Sequence, residues 1–177
     1  MAITDFSQTT GGRRLKPYTY HLRYPRLNVE IYTITLIGWY KSLMGNHYTQ
    51  VHITPFHWVA VYPMETKADA HYSLDTLFQK IGVPCVIIPD NAKELTTGHF
   101  KKKALRVGAG IHPIEAHTPN AKLAEHVIRE SKRSYRRMML ATNFPEFLWD
   151  LCLQYVVAVR SHMALFICDL EGKAPAM

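Results

Sequence analysis

The segment Val83-Pro84-Cys85-Val86-Ile87-Ile88-Pro89 constrains the fold of this chain more than any other. Residues 66–80 before it take helical spacing, with Ala70, Leu74, Leu77, Phe78 and Ile81 along one side, and Gly82 and Pro84 end that helix. A short, continuous apolar run after a crossover helix is the pattern of a strand buried on both faces. The chain is therefore read as α/β, and the run delivers Asp90 to the carboxyl edge of the sheet.

Upstream, Val29 to Ile37 is rich in β-branched and aromatic residues and predicts a central strand. Gly45-Asn46 supplies a turn, and His47 to Thr54 and His57 to Tyr62, separated by Pro55, complete an antiparallel meander. Downstream, a lysine-rich helix over His99 to Arg106 leads to a strand over Ile111 to Ala116. Thr118 and Pro119 read as N-cap and first position of a long helix reaching about Asn143, and Pro145 opens a last helix through about Cys168. The expected architecture is a five-stranded mixed sheet, three antiparallel plus two parallel strands, flanked by helices.

At 177 residues with 47% apolar content, the chain suits one core rather than two. Residues 1–26, with Gly11-Gly12-Arg13-Arg14 and two prolines, read as a basic, loosely ordered lead-in; 27–172 form the core and 173–177 a tail. Lys and Arg number 21 against 14 Asp and Glu, a formal charge of +7 that suits a polyanionic partner. Cys85, Cys152 and Cys168 lie far apart in apolar runs, the pattern of buried free thiols in a reducing compartment. The stretch Val156 to Cys168 is interrupted by Arg160, Ser161 and His162, and residues 1–12 lack the apolar region of a secretory signal, so a soluble intracellular protein, nuclear or cytoplasmic, is expected. His52/His57 and His112/His117 have four-residue gaps but no cysteine pair at ligand spacing beside them, which disfavours zinc.

The helix after Pro119 carries the main charge pattern. At about 100° per residue, Glu125, Arg129, Lys132 and Arg136 share one stripe with Arg133 and Arg137 beside it. Ala124, Ile128, Ser131, Tyr135 and Met138 share another, the side expected to pack. The cations outnumber the acids that could pair with them, so the stripe reads as a phosphate-binding ridge, joined by Lys101, Lys102, Lys103 and Lys122. Trp39, Trp58, Trp149, Tyr135 and Tyr155 are assigned to core packing rather than to base stacking.

A carboxylate at a strand end and another on a nearby helix can hold a divalent cation against a phosphodiester. With Asp90 and Glu125 so placed, the chain resembles the integrase catalytic core of copia-like LTR retrotransposons, an RNase H-like fold. The resemblance rests on Ile88-Pro89-Asp90-Asn91-Ala92-Lys93-Glu94, on His117-Thr118-Pro119-Asn120-Ala121-Lys122-Leu123-Ala124-Glu125 and on Phe144-Pro145-Glu146-Phe147-Leu148-Trp149, and covers about residues 28–172. Between Asp90 and Glu125 lie 34 residues, one short of the family's customary interval. The resemblance implies DNA as substrate, a possible homo-oligomer, and two Mg²⁺ (or Mn²⁺) ions held by three carboxylates, two of them Asp90 and Glu125.

The third is missing. The family's first Asp falls, by this resemblance, on Ile34 within Ile31-Tyr32-Thr33-Ile34-Thr35-Leu36. Loss of the ligand shared by both ions costs on the order of a thousandfold in rate. Glu30 has the right parity but lies roughly 13 Å back along the strand. Two other readings stay open: a noncatalytic nucleic-acid-binding or assembly module, and an active nuclease whose third acid is Asp69, Asp75 or Glu94.

Overall fold

The computed structural model describes residues 24–113 and 119–163. Its centre is β1 (Arg26–Ile37), flanked on one side by β2 (Tyr48–Ile53) and β3 (Val59–Met64), and on the other by β4 (Val83–Pro89) and β5 (Gly110–Ile111). The sheet order is β3-β2-β1-β4-β5. β1 pairs antiparallel with β2 and parallel with β4, β2 antiparallel with β3, and β4 parallel with β5, the mixed sheet expected from the strand pattern.

Alternation along the strands sends successive side chains to opposite faces, and helices cover both. On one face Ile31, Val83 and Ile87 pack with Leu74, Leu77 and Phe78 of α1 (Ala70–Lys80) and with Leu95 of the short α2 (Lys93–Thr96) and Phe100 and Ala104 of α3 (Gly98–Arg106). On the other, Tyr32, Val51, Ile53 and Val59 meet Ala124, Val127 and Ile128 of α4 (Pro119–Thr142) and Trp149, Leu153 and Val157 of α5 (Trp149–His162). The crossover through α1 turns tightly into β4: Gly82 has φ 111°, and a Cβ there would sit 2.5 Å from the Pro25 carbonyl oxygen. Only glycine accepts both constraints.

Several boundaries differ from the sequence expectation. Thr66 caps a 3-10 turn, Lys67–Asp69, ahead of α1, with its backbone N–H and its hydroxyl both donating to Asp69 Oδ2 at 3.0 and 2.7 Å. α2 was not expected; four residues are too few to show a period, and its existence depends on burying Leu95. Another 3-10 turn, Glu146–Leu148, precedes α5, because Pro145 is extended at φ −59°, ψ 136° rather than helical. The strand expected over 111–116 pairs with β4 at Gly110 and Ile111; residues 114–118, including the Thr118 cap and His117, and Cys168 lie outside the described residues.

Two assignments to the core are corrected. Cys85 is exposed, its thiol directed at the Val29 carbonyl at 3.0 Å, because β4 is uncovered at that point; Cys152 is buried, and both are free. Trp39 and Tyr155 are also exposed, at 75% and 59%, whereas Trp149 is buried and Trp58 and Tyr135 partly so.

Candidate nucleic-acid interface and carboxylate site

Parallel pairing of β1 with β4 sets the geometry of the carboxylate end of the sheet. Thr33 stands opposite Pro89, and the backbone N–H of Asp90 donates to the Thr33 carbonyl at 2.9 Å. Asp90 thus takes the next register position, beside Ile34. Its carboxylate is exposed, and Oδ1 accepts the Asn91 backbone N–H at 2.8 Å.

Ile34 points to the α4 face with Tyr32 and Leu36, where it packs against the core formed by α4 and α5. It lines a groove of about 570 Å³ together with Leu36, Glu125, Arg129, Lys132 and Arg136. Ile34 and Glu125 therefore share one groove, and Asp90 closes β4 at its side. The three positions named by the resemblance are brought to one end of the sheet, with a hydrocarbon at the first.

Magnesium and manganese take oxygen donors, and Ile34 offers none. Among the described residues no cluster of three or more His, Cys, Asp and Glu could hold a metal ion. The residues present do not fit a two-ion clamp. The other acids weighed for the third place are committed elsewhere: Asp69 accepts from Thr66 in the capping box of the 3-10 turn, Asp75 binds Lys103 at 2.6 Å, and Glu94 faces Lys67 at 3.7 Å, all on the α1 side of the sheet, away from Glu125. Glu30 accepts the Tyr32 hydroxyl at 3.3 Å, and burial, with Glu30 adding to it, pushes the Tyr32 phenol up to about 12.

The cations of α4 behave as their spacing suggests. Buried Ala124, Val127, Ile128 and Ser131 turn inward, while Arg129, Lys132, Arg133, Arg136 and Arg137 are exposed. Arg133 pairs with Glu130 at 3.1 Å, but among the described residues none of Arg129, Lys132, Arg136 and Arg137 has an acidic partner within 4.0 Å. The intrahelical pairing with Glu125 that could have neutralised the ridge does not form. Lys122 belongs to α4, with its side chain outside the described residues.

Lys101, Lys102 and Lys103 do not extend this ridge. They lie on α3, which covers the opposite face of the sheet, and Lys103 is held by Asp75. Lys102 and Lys103 line, with His71 and His99, a separate cleft of about 310 Å³. His52, weighed as a metal ligand, is fully buried: Ser73 donates its hydroxyl to the Ala70 carbonyl at 2.7 Å and so accepts from His52 Nε2–H at 2.9 Å. Burial pulls the imidazole down to about 3, and it stays neutral.

Trp39 is the misplaced residue that bears on this surface. It follows the end of β1, in the loop before the Gly45-Asn46 turn, and an aromatic beyond a strand end has no sheet face to pack on. That position was the available signal. The guanidinium carbon of Arg136 stands 5.3 Å from its ring centroid, within cation–π range.

Similarity to known structures agrees with this layout. The HTLV-2 integrase catalytic core domain, a trimeric form in complex with magnesium, matches with a TM-score of 0.61 at 14% identity, over 82% of this chain and 93% of that one. The BIV integrase catalytic core domain matches at 0.65 and 12% identity, over 83% and 90%. A chain of the simian T-cell lymphotropic virus intasome, in complex with PP2A regulatory subunit B56 gamma, matches at 0.65 and 18%, over 86% of this chain and 57% of that one. No protein-family model matches the sequence, and no curated protein does. The fold is that of an integrase catalytic core, RNase H-like. No helix among the described residues is long and apolar enough to cross a membrane.

Proposed function

We propose that residues 27–172 are the integrase-type core of a copia-like LTR retrotransposon, acting on DNA inside the cell, in the nucleus or cytoplasm, with strand transfer lost or weak. The observation that carries this is Ile34 in the groove of Glu125, beside Asp90. Residues 1–26 and 173–177 are a basic lead-in and a tail. The unpaired cations of α4, Arg129, Lys132 and Arg136, hold phosphates together with Arg133, which also pairs with Glu130, and Lys122, Lys101, Lys102 and Lys103 add charge. Such contacts position a duplex without reading its sequence. Asp90 and Glu125 are the two carboxylates retained as metal ligands, and would hold Mg²⁺ or Mn²⁺ only weakly. Assembly into a homo-oligomer is in keeping with the trimeric form and the intasome among its structural neighbours.

Ile34 also favours a second reading, in which the fold survives only as a noncatalytic nucleic-acid-binding module. One assay separates the two: nicking and strand transfer in Mg²⁺ and Mn²⁺ by the native chain, Ile34→Asp, and Ile34→Asp with Glu125→Gln. Activity appearing in Ile34→Asp and vanishing with Glu125→Gln is the expected result. Full activity in the native chain, unchanged by Ile34→Asp, would overturn the assignment of the first strand. No activity in any of the three, with DNA binding intact, would support the noncatalytic module.

A further inference from the structure

The groove of Ile34 and Glu125 does not end the binding surface. Arg136 and Leu140 line it and also line a second groove of about 560 Å³, bounded by Trp39, Tyr40, Tyr135, Phe144, Glu146 and Trp149. The chemistry changes from one to the other. The first is walled by cations; the second has a mainly aromatic and aliphatic lining, to which Arg136 and Glu146 add one charge of each sign.

We propose that this second groove seats an unpaired nucleobase, stacked on Trp39, of a strand whose phosphates follow Arg129, Lys132 and Arg136. The inference rests on the nucleic-acid reading above and adds a site and a ligand form to it. Single-strand binders combine a cationic groove that tracks the backbone with aromatic side chains on which bases stack, and the two grooves supply these parts in sequence. From Glu125 to Arg136 the helix rises about 16 Å, so the track has room for several nucleotides before the aromatic end.

Trp39 is exposed yet held in place. Gly38 packs its backbone on Trp149, so closely that a Cβ would overlap the indole at Cζ2. Trp149 Nε1 donates to the Tyr40 carbonyl at 2.9 Å, and the Leu43 N–H to the Phe147 carbonyl at 2.8 Å. Asn46 Nδ2 then donates to the buried Asp150 Oδ2 at 2.8 Å, fixing the far end of the loop on α5. A loop backbone fastened at these points lowers the ordering cost of presenting its indole on binding. Arg136 over the ring keeps one end of the groove cationic for the adjoining phosphate, while Glu146 disfavours a phosphate in the groove itself and can accept from an exocyclic amino group.

The test compares a blunt DNA duplex with the same duplex bearing a four-nucleotide overhang that contains 2-aminopurine, in both polarities, by anisotropy and 2-aminopurine fluorescence. The native chain is expected to favour one overhang over the blunt end by about tenfold and to quench its 2-aminopurine. Trp39→Ala should abolish the preference and the quenching, and Trp39→Phe should restore most of both. A native chain that binds duplex without preferring an overhang overturns the base site and leaves the nucleic-acid reading standing. A native chain that binds neither DNA overturns both. Self-association lost in Trp39→Ala, with the overhang preference kept, would assign the groove to a second copy and overturn the proposal.

Discussion

Asp90 is tied through its backbone to Thr33 at 2.9 Å, which fixes its place beside Ile34 across the parallel β1–β4 pair. The position within β1 that would receive a third carboxylate is therefore fixed in place, and carries an isoleucine that packs on the α4 and α5 core. A single substitution, Ile34→Asp, changes the donor set without changing the register.

That substitution should trade stability for metal affinity. Without divalent metal, Ile34→Asp should lower unfolding stability by about 1–3 kcal/mol, since a half-buried apolar side chain is replaced by a charge. Adding Mg²⁺ should then raise its melting temperature more than that of the native chain, as an ion that binds only the folded state must. Differential scanning calorimetry over a series of Mg²⁺ concentrations measures both; equal Mg²⁺ responses would show that position 34 does not complete the site.

Charge on α4 should dominate the salt dependence of DNA binding. Arg129→Gln with Lys132→Gln should reduce the slope of log K against log salt by about 1.8, since each phosphate left without its cation removes about 0.9. Lys101→Gln with Lys102→Gln, on the other face of the sheet, should reduce it less. The reverse order in a salt titration would move the phosphate track to α3.

His52 should make the fold acid-sensitive. Its folded value of about 3 lies below the ordinary value of 6.5, so between these the unfolded chain binds more protons and stability rises with pH. Its contribution is complete above about pH 6.5 and is lost as pH falls toward 3, at up to about 1.4 kcal/mol per pH unit. Urea denaturation of His52→Leu across this window should show a shallower pH slope than the native chain; an unchanged slope would mean that other groups account for it.

Gly38→Ala should destabilise the chain by about 1–3 kcal/mol, because the added methyl group meets the Trp149 ring, which is itself buried and hydrogen-bonded to Tyr40. The midpoint of urea unfolding reads this directly. An unchanged midpoint would show that Trp149 swings aside.

The layered architecture and the order of its parts were legible in the amino-acid pattern alone. β-branched runs at β1 and β4 and the helical period over 70–80 are local patterns, set by which side chains must leave water, and they needed no knowledge of neighbours. Most of the inward face of α4 was readable for the same reason, although Val127 and Met139 join it and Met138 does not, as was the placement of Asp90 at a strand end. Which of these surfaces meet was decided by three-dimensional packing. Lys101 to Lys103 and the α4 cations read alike as basic helices, yet the crossover connections put α3 and α4 on opposite faces of the sheet. Asp69, Asp75 and Glu94 became a cap and two ion-pair partners once packed. Trp39 left the core because the loop that carries it is fastened to α5 through Gly38, Tyr40 and Asn46, pairings more than a hundred residues apart in sequence that no local periodicity records.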